Sequence, residues 1–206
     1  MTKFLTLLFL TITISSFSQI LKVKNGISFS SLELTESPAD ISEAEFLGEN
    51  ITTYSFIVGL DYFEKKWFYL SSEIGYLKKG GEQNIEIFPN NGTENIKESW
   101  GYLHLNTTAR LPIRLKNHAH FYMGAGPTFD VLIDSDTFES SFYEGHVLNS
   151  TIFGLKGEVG FAMDFKKIRV GLNASYLYDI DNLGGTESLE YKNQAYQIML
   201  SLGYRL

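Results

Sequence analysis

From Phe153 to Phe165 the chain alternates between two kinds of residue. Phe153, Leu155, Gly157, Val159, Phe161, Met163 and Phe165 hold the odd positions. Gly154, Lys156, Glu158, Gly160, Ala162 and Asp164 hold the even ones. Successive strand side chains point to opposite faces, so this pattern predicts one apolar surface backed by a charged, glycine-rich one. Residues 52–63 repeat it, with Tyr54, Phe56, Val58, Leu60 and Tyr62 set against Ser55, Ile57, Gly59 and Asp61. So do residues 167–179 and 191–206. Strands are predicted near 20–32, 52–63, 67–78, 100–113, 119–133, 149–165, 167–179 and 191–206. These are long for strands, which usually run about 5–6 residues. Long dyad-patterned strands suit a β-barrel that crosses a membrane, where every backbone group must be satisfied without water. The predicted fold is all-β: an eight-stranded antiparallel transmembrane β-barrel, built as a meander.

The connections alternate in length. Residues 64–66, 114–118 and 166–167 form short turns, whereas 33–51, 79–99, 134–148 and 180–190 form long polar loops. This is the outer-membrane pattern of short periplasmic turns and long extracellular loops, with both termini on the periplasmic side. Within the second long connection Asn84-Ile85-Glu86-Ile87-Phe88 alternates again and Asn91-Gly92 is a turn pair. A hairpin rising above the membrane is expected there.

Alternation leaves open which face is outside, since a soluble barrel would turn its apolar face inward. Glycine separates the two. Gly59, Gly75, Gly124, Gly126, Gly154, Gly160, Gly171 and Gly203 all share the polar face. On a solvated exterior they would weaken strands for no return, whereas inside a narrow barrel they leave room for long side chains. Aromatic residues agree. Tyr54, Tyr76, Tyr178 and Tyr196 gather toward the long-loop end of the apolar face. Tyr62, Phe68, Phe121, Phe165 and Tyr204 gather toward the other, as two interfacial girdles. The lumen then receives Lys22, Lys24, Asp61, Glu73, Arg110, Asp130, Lys156, Glu158, Asp164, Arg169 and Arg205. Eight strands enclose barely enough space for side chains, so a packed, mutually paired network is expected rather than a proton or ion path.

The N-terminus reads as a secretory leader: Lys3, an apolar run from Phe4 to Ile14, then small residues, with cleavage expected after Ser18. Residues 1–18 are the expected signal peptide and 19–206 the barrel domain. The leader carries only Lys3, so its loss makes the net charge of −7 one unit more negative. That balance gives no support for nucleic-acid binding. With no cysteine the chain has no disulfide framework, thiol chemistry or lipidation cysteine.

Catalysis has little to build on. His104 and His120 point into the lumen by parity, His118 lies in a turn and His146 in a loop. Ser140, Ser141, Glu144 and His146 are the nearest approach to a nucleophile–base cluster, as a lipid-modifying enzyme would need. Such residues are also ordinary loop composition, and no catalytic, cofactor-binding or metal residue is assigned. Glu33, Glu36, Asp40, Glu43, Glu45 and Glu49 make the first loop acidic, and Asp134, Asp136, Glu139 and Glu144 the third. Their spacing matches no calcium loop, so a solvated, repelling surface is expected, with divalent bridging to lipopolysaccharide or docking to a basic partner as the alternatives.

Four segments carry a family likeness. Leu21-Lys22-Val23-Lys24-Asn25-Gly26-Ile27-Ser28-Phe29-Ser30 resembles the first strand of the Bacteroidetes outer-membrane β-barrel family, also called PorT-like. Glu73-Ile74-Gly75-Tyr76-Leu77-Lys78-Lys79-Gly80 is similar to its third strand, and Gly124-Ala125-Gly126-Pro127 to its fifth. The leader's ending, Phe17-Ser18-Gln19, suits the same bacteria. Leu202-Gly203-Tyr204-Arg205-Leu206 resembles the C-terminal signal read by the barrel-assembly machinery, although such signals more often end in an aromatic residue. The resemblance implies a monomer in the outer membrane of a Gram-negative bacterium, in contact with outer-membrane lipid and lipopolysaccharide. It implies no single activity. A structural or interaction role through the acidic loops is expected, with membership of a secretion or envelope machinery, and an unidentified protein partner, as the alternative.

Overall fold

The structure, a computed structural model, describes residues 19–36, 48–87, 92–115, 118–135, 147–185 and 190–206. The strands are β1 (Ile20–Glu36), β2 (Ile51–Tyr62), β3 (Tyr69–Ile87), β4 (Gly92–Arg114), β5 (Ala119–Ser135), β6 (Val147–Leu148), β7 (Thr151–Phe165), β8 (Ile168–Asp179), β9 (Gly184–Gly185) and β10 (Glu190–Arg205). Eight of them form an antiparallel ring in the order β1-β2-β3-β4-β5-β7-β8-β10, closed by pairing of β1 with β10. Closure leaves no sheet edge within the barrel wall.

The register fixes the stagger. From Tyr62 on β2, paired residues run through Leu70, Ala109, Ala125, Gly157, Tyr176, Tyr196 and Phe29, and reach β2 again at Thr52. One circuit therefore climbs ten residues along β2, from Tyr62 to Thr52. Stagger of this kind tilts the strands and sets the bore, which in an eight-stranded barrel is just filled by side chains.

The faces are those the alternation predicts. Leu172 and Leu200 point outward and are 50% and 64% exposed, while their neighbours Asn173 and Met199 are buried inside. An apolar exterior around a polar interior inverts the rule for a soluble barrel and is what hydrocarbon requires. The few polar groups on the outer face satisfy one another. The Asn25 amide donates to the Tyr54 hydroxyl, and Ser72 Oγ lies 3.0 Å from Tyr62 Oη and 2.9 Å from Thr107 Oγ1.

The short turns and both ends of the described chain share one mouth. Leu206 N donates to Gln19 O, Arg205 N to Lys167 O, and Asp164 N to His118 O. Each short turn places one non-glycine residue at positive φ: Phe63 at 57°, His118 at 62° and Lys166 at 53°. The first turn runs from 63 to 68 rather than 64 to 66, because β3 begins at Tyr69, and it leaves Trp67 79% exposed beside the lower aromatic girdle.

The second long connection is mostly strand. β3 and β4 stay paired from Lys79–Trp100 to Ile87–Gly92, so the expected hairpin exists and begins well before Asn84. The third and fourth connections are also tied together. β6 pairs with β9, β9 pairs with β10, and Asn149 N donates to Leu183 O. The predicted leader, Asp40, Glu43, Glu45, Asp136, Glu139 and the cluster Ser140, Ser141, Glu144 and His146 lie outside the described residues. Of the remaining loop acids, Glu33, Glu49 and Asp134 are exposed.

Candidate functional site

The lumen is where this chain concentrates chemistry. Every inward charge forecast by parity is there, and seven cations meet seven carboxylates among the described residues. Lys22, Lys24, Lys79, Arg110, Lys156, Arg169 and Arg205 pair with Asp61, Glu64, Glu73, Asp130, Glu158, Asp164 and Asp179. The network is neutral as a set, so the chain's net charge of −7 is carried outside it.

Glu73 on β3 is the hub. Its carboxylate takes Lys156 at 2.8 Å, Arg110 at 2.8 Å, Lys22 at 2.9 Å and Lys24 at 3.2 Å. Arg110 turns its fork on Glu158, with Nε 2.6 Å from Oε1 and Nη2 2.9 Å from Oε2. Paired N–H donors of this kind fix geometry as well as charge. Asp61 closes the lower side against Lys22 at 2.6 Å, Arg110 at 3.3 Å and Arg169 at 3.5 Å. Glycine makes room for these stems. A Cβ on Gly59 would stand 2.9 Å from both Glu73 Cγ and Lys22 Cε, and one on Gly160 would stand 2.3 Å from the Tyr122 ring.

A second cluster lies nearer the long loops. Lys79 bridges Asp179 at 2.5 Å and Asp130 at 2.8 Å, and His104 Nδ1 is 2.6 Å from Asp130 Oδ1. The Asn106 amide Nδ2 lies 3.0 Å from His104 Nε2 and 3.3 Å from Glu73 Oε2, so it links the two clusters. With that amide donating to Nε2, the imidazole proton sits on Nδ1 and is given to Asp130.

The two ends of the lumen differ. Above Lys79 the barrel is stoppered by Leu32, Trp100, Tyr102, Ile152 and Leu183, all buried. Leu183 reaches this place because the β6–β9 pairing folds its loop over the mouth. At the level of Lys22, Asp61, Arg110 and Arg169 the space left is a cavity of about 10 Å³, roughly one water-sized probe. At the short-turn end the bore widens into a vestibule of about 480 Å³.

Sequence reading places Lys22, Lys24, Asp61, Glu73, Arg110, Asp130, Lys156, Glu158, Asp164, Arg169 and Arg205 in the lumen, and all eleven are in the network. His104 and His120 point inward as parity requires, and His118 is in its turn. Lys79, Glu64 and Asp179 complete the network: the first two fall in the predicted connections, and Asp179 is the last residue of a predicted strand. The parity of Glu73, Gly75 and Leu77 would have found Lys79. Leu32, Trp100, Tyr102 and Ile152 share the inward parity of Ser30, His104 and Lys156, so alternation marks most of the stopper, and only Leu183 lies in a connection.

The ring of strands matches known structures across nearly its whole length. Neisserial surface protein A superposes with a TM-score of 0.56 at 11% identity, over 91% of this chain and 97% of that one. The outer membrane protein OprG from Pseudomonas aeruginosa superposes with a TM-score of 0.56 at 12% identity, over 92% and 97%. At such identities the likeness is one of fold. No family profile matches the sequence, and no curated protein matches it.

Proposed function

We propose that this chain is a packed, non-conducting and non-enzymatic barrel of a Gram-negative outer membrane, acting as a structural or interaction module through its acidic extracellular loops. One observation carries the reading. The bore is filled by a charge-neutral network that leaves a cavity of about 10 Å³, beneath an apolar stopper. A hydrated ion needs a far wider path, and a neutral network offers no net field to draw one in. Residence in that membrane is supported by the apolar belt, the clustering of short turns at one mouth and the fold shared with OprG. The short-turn mouth then faces the periplasm, and the exposed carboxylates of Glu33, Glu49 and Asp134 stand on the outer side. The resemblance to the PorT-like family adds an envelope assembly as the setting in which such a module would work.

Planar-bilayer recording tests this directly. Purified barrel should give no stepwise current above background. Large, reproducible steps from the wild-type protein would end the packed-lumen reading. Affinity purification from the native membrane tests the interaction role, which predicts a stoichiometric partner lost when the acidic loop residues are neutralised.

A further inference from the structure

The vestibule at the short-turn mouth has donors left over once its ion pairs are formed. Arg169 is committed to Asp164 through Nε at 2.6 Å and Nη2 at 2.9 Å, and Nη2 also reaches Glu64 at 3.3 Å. Arg205 takes Glu64 at 3.1 Å and Asp164 at 3.5 Å. Both carboxylates of the cavity wall are thereby neutralised. Arg114, His118 and His120 line the same cavity. Among the described residues no carboxylate pairs with Arg114, and no hydrogen bond reaches the ring nitrogens of His118 or His120.

Two of these three groups are positioned by the sheet. Arg114 and His120 are directly opposed on β4 and β5. Opposed residues share a face, with Cβ atoms about 4.5–5.5 Å apart, so both aim into the bore. His120 is only 7% exposed, and its ring stands edge-on to Tyr69 at 6.5 Å and 86°. The His120 ring nitrogens therefore open on the cavity rather than into the packed wall, beside a guanidinium that pairs with no carboxylate among the described residues.

We infer that this mouth is an oxyanion-binding site, taking a phosphate-sized or carboxylate group between the Arg114 guanidinium and the His120 and His118 imidazoles. The guanidinium fork matches two oxygens of such a group, and a neutral imidazole supplies one N–H to a third. The site lies apart from the acidic loops and does not depend on what they bind.

The test uses the full barrel in lipid nanodiscs with ¹⁵N-labelled histidine. Inorganic phosphate is titrated while the imidazole resonances are followed, against sodium chloride at matched ionic strength, and acetate is titrated in a parallel arm. The expected result is a saturable shift of the His120 and His118 signals with phosphate or acetate but not chloride, weakened at least tenfold in Arg114→Gln. Saturation by both anions defines a general oxyanion site, and saturation by phosphate alone defines a phosphate site. Shifts that chloride reproduces, that never saturate, or that persist unchanged in Arg114→Gln would overturn the assignment. Because Arg114 is exposed and pairs with no carboxylate among the described residues, its replacement leaves the wall intact.

Discussion

Lys79 Nζ lies 2.5 Å from Asp179 Oδ1 and 2.7 Å from Oδ2, a strut joining β3 to β8. Those strands are four places apart in either direction around the ring, so the bond spans the full bore. The pair braces opposite walls of the barrel, and Asp130 with its partner His104 ties a third and a fourth strand to the same point.

Lys79→Met leaves Asp130 and Asp179 buried without their shared cation. The expected loss is about 3–5 kcal/mol, the usual penalty for breaking a buried pair from one side. Asp179→Asn should cost less, because Lys79 keeps Asp130 at 2.8 Å. Urea titration in micelles, followed by tryptophan fluorescence, reads both values. Equal losses would show that Asp130 contributes nothing to holding Lys79.

Glu73 should dominate the lower network because four cations converge on it. Glu73→Gln exposes Lys22, Lys24, Lys156 and Arg110 to one another in a low-dielectric bore, and the loss should exceed that of Lys156→Met. A double-mutant cycle between the two sites isolates their direct term, which should be stabilising by about 1–3 kcal/mol for residues in one network. A coupling near zero would mean that Arg110, not Lys156, carries the charge balance at Glu73.

How much of this could be read from residues follows from what each feature depends on. The faces depend on period 2 alone, and Phe153, Leu155 and Val159 announce them. The glycines could be placed because Gly59 and Gly160 lie on a face otherwise filled with Lys, Glu and Tyr. Lys79 escapes because the predicted third strand stops at Lys78, one residue short of it, whereas β3 runs on to Ile87 and carries the inward parity with it. Trp100 and Tyr102 share the inward parity of His104, so alternation alone buries both, even across the register shift at Gly101/Tyr102. The pairing of particular cations with particular carboxylates depends on the ten-residue climb around the ring, a property of closure that no single strand encodes. Leu183 depends on loop-to-loop pairing, which has no period at all.

Gly160 and Tyr122 make a packing test independent of charge. A methyl at Gly160 would sit 2.3 Å from the Tyr122 ring, which itself lies against Arg110 at 4.9 Å. Gly160→Ala should cost about 1–3 kcal/mol through overpacking. Gly160→Ala with Tyr122→Phe should recover little, since the nearest contact is to ring carbon Cζ as well as to the hydroxyl. Gly160→Ala with Tyr122→Leu should recover most of it. Unfolding titrations of the three variants check the order.

The outer belt makes the last prediction, and it tests the orientation of every strand at once. Leu172 and Leu200 are neighbours across β8 and β10, and both face out. With no native cysteine, single cysteines can be introduced there and spin-labelled without interference. In reconstituted vesicles both labels should relax faster with dissolved oxygen, which partitions into hydrocarbon, than with a water-soluble nickel chelate. A label at Trp67, exposed on the first short turn, should respond to nickel instead. The contrast follows from the apolar area around the ring, since side chains such as Leu172, Leu200, Leu202 and Val159 together leave more hydrophobic surface open than a protein in water tolerates. Nickel access at Leu172 and Leu200 would place water on that surface, and the charged bore would then be the core of a soluble cylinder whose exterior needs some other cover.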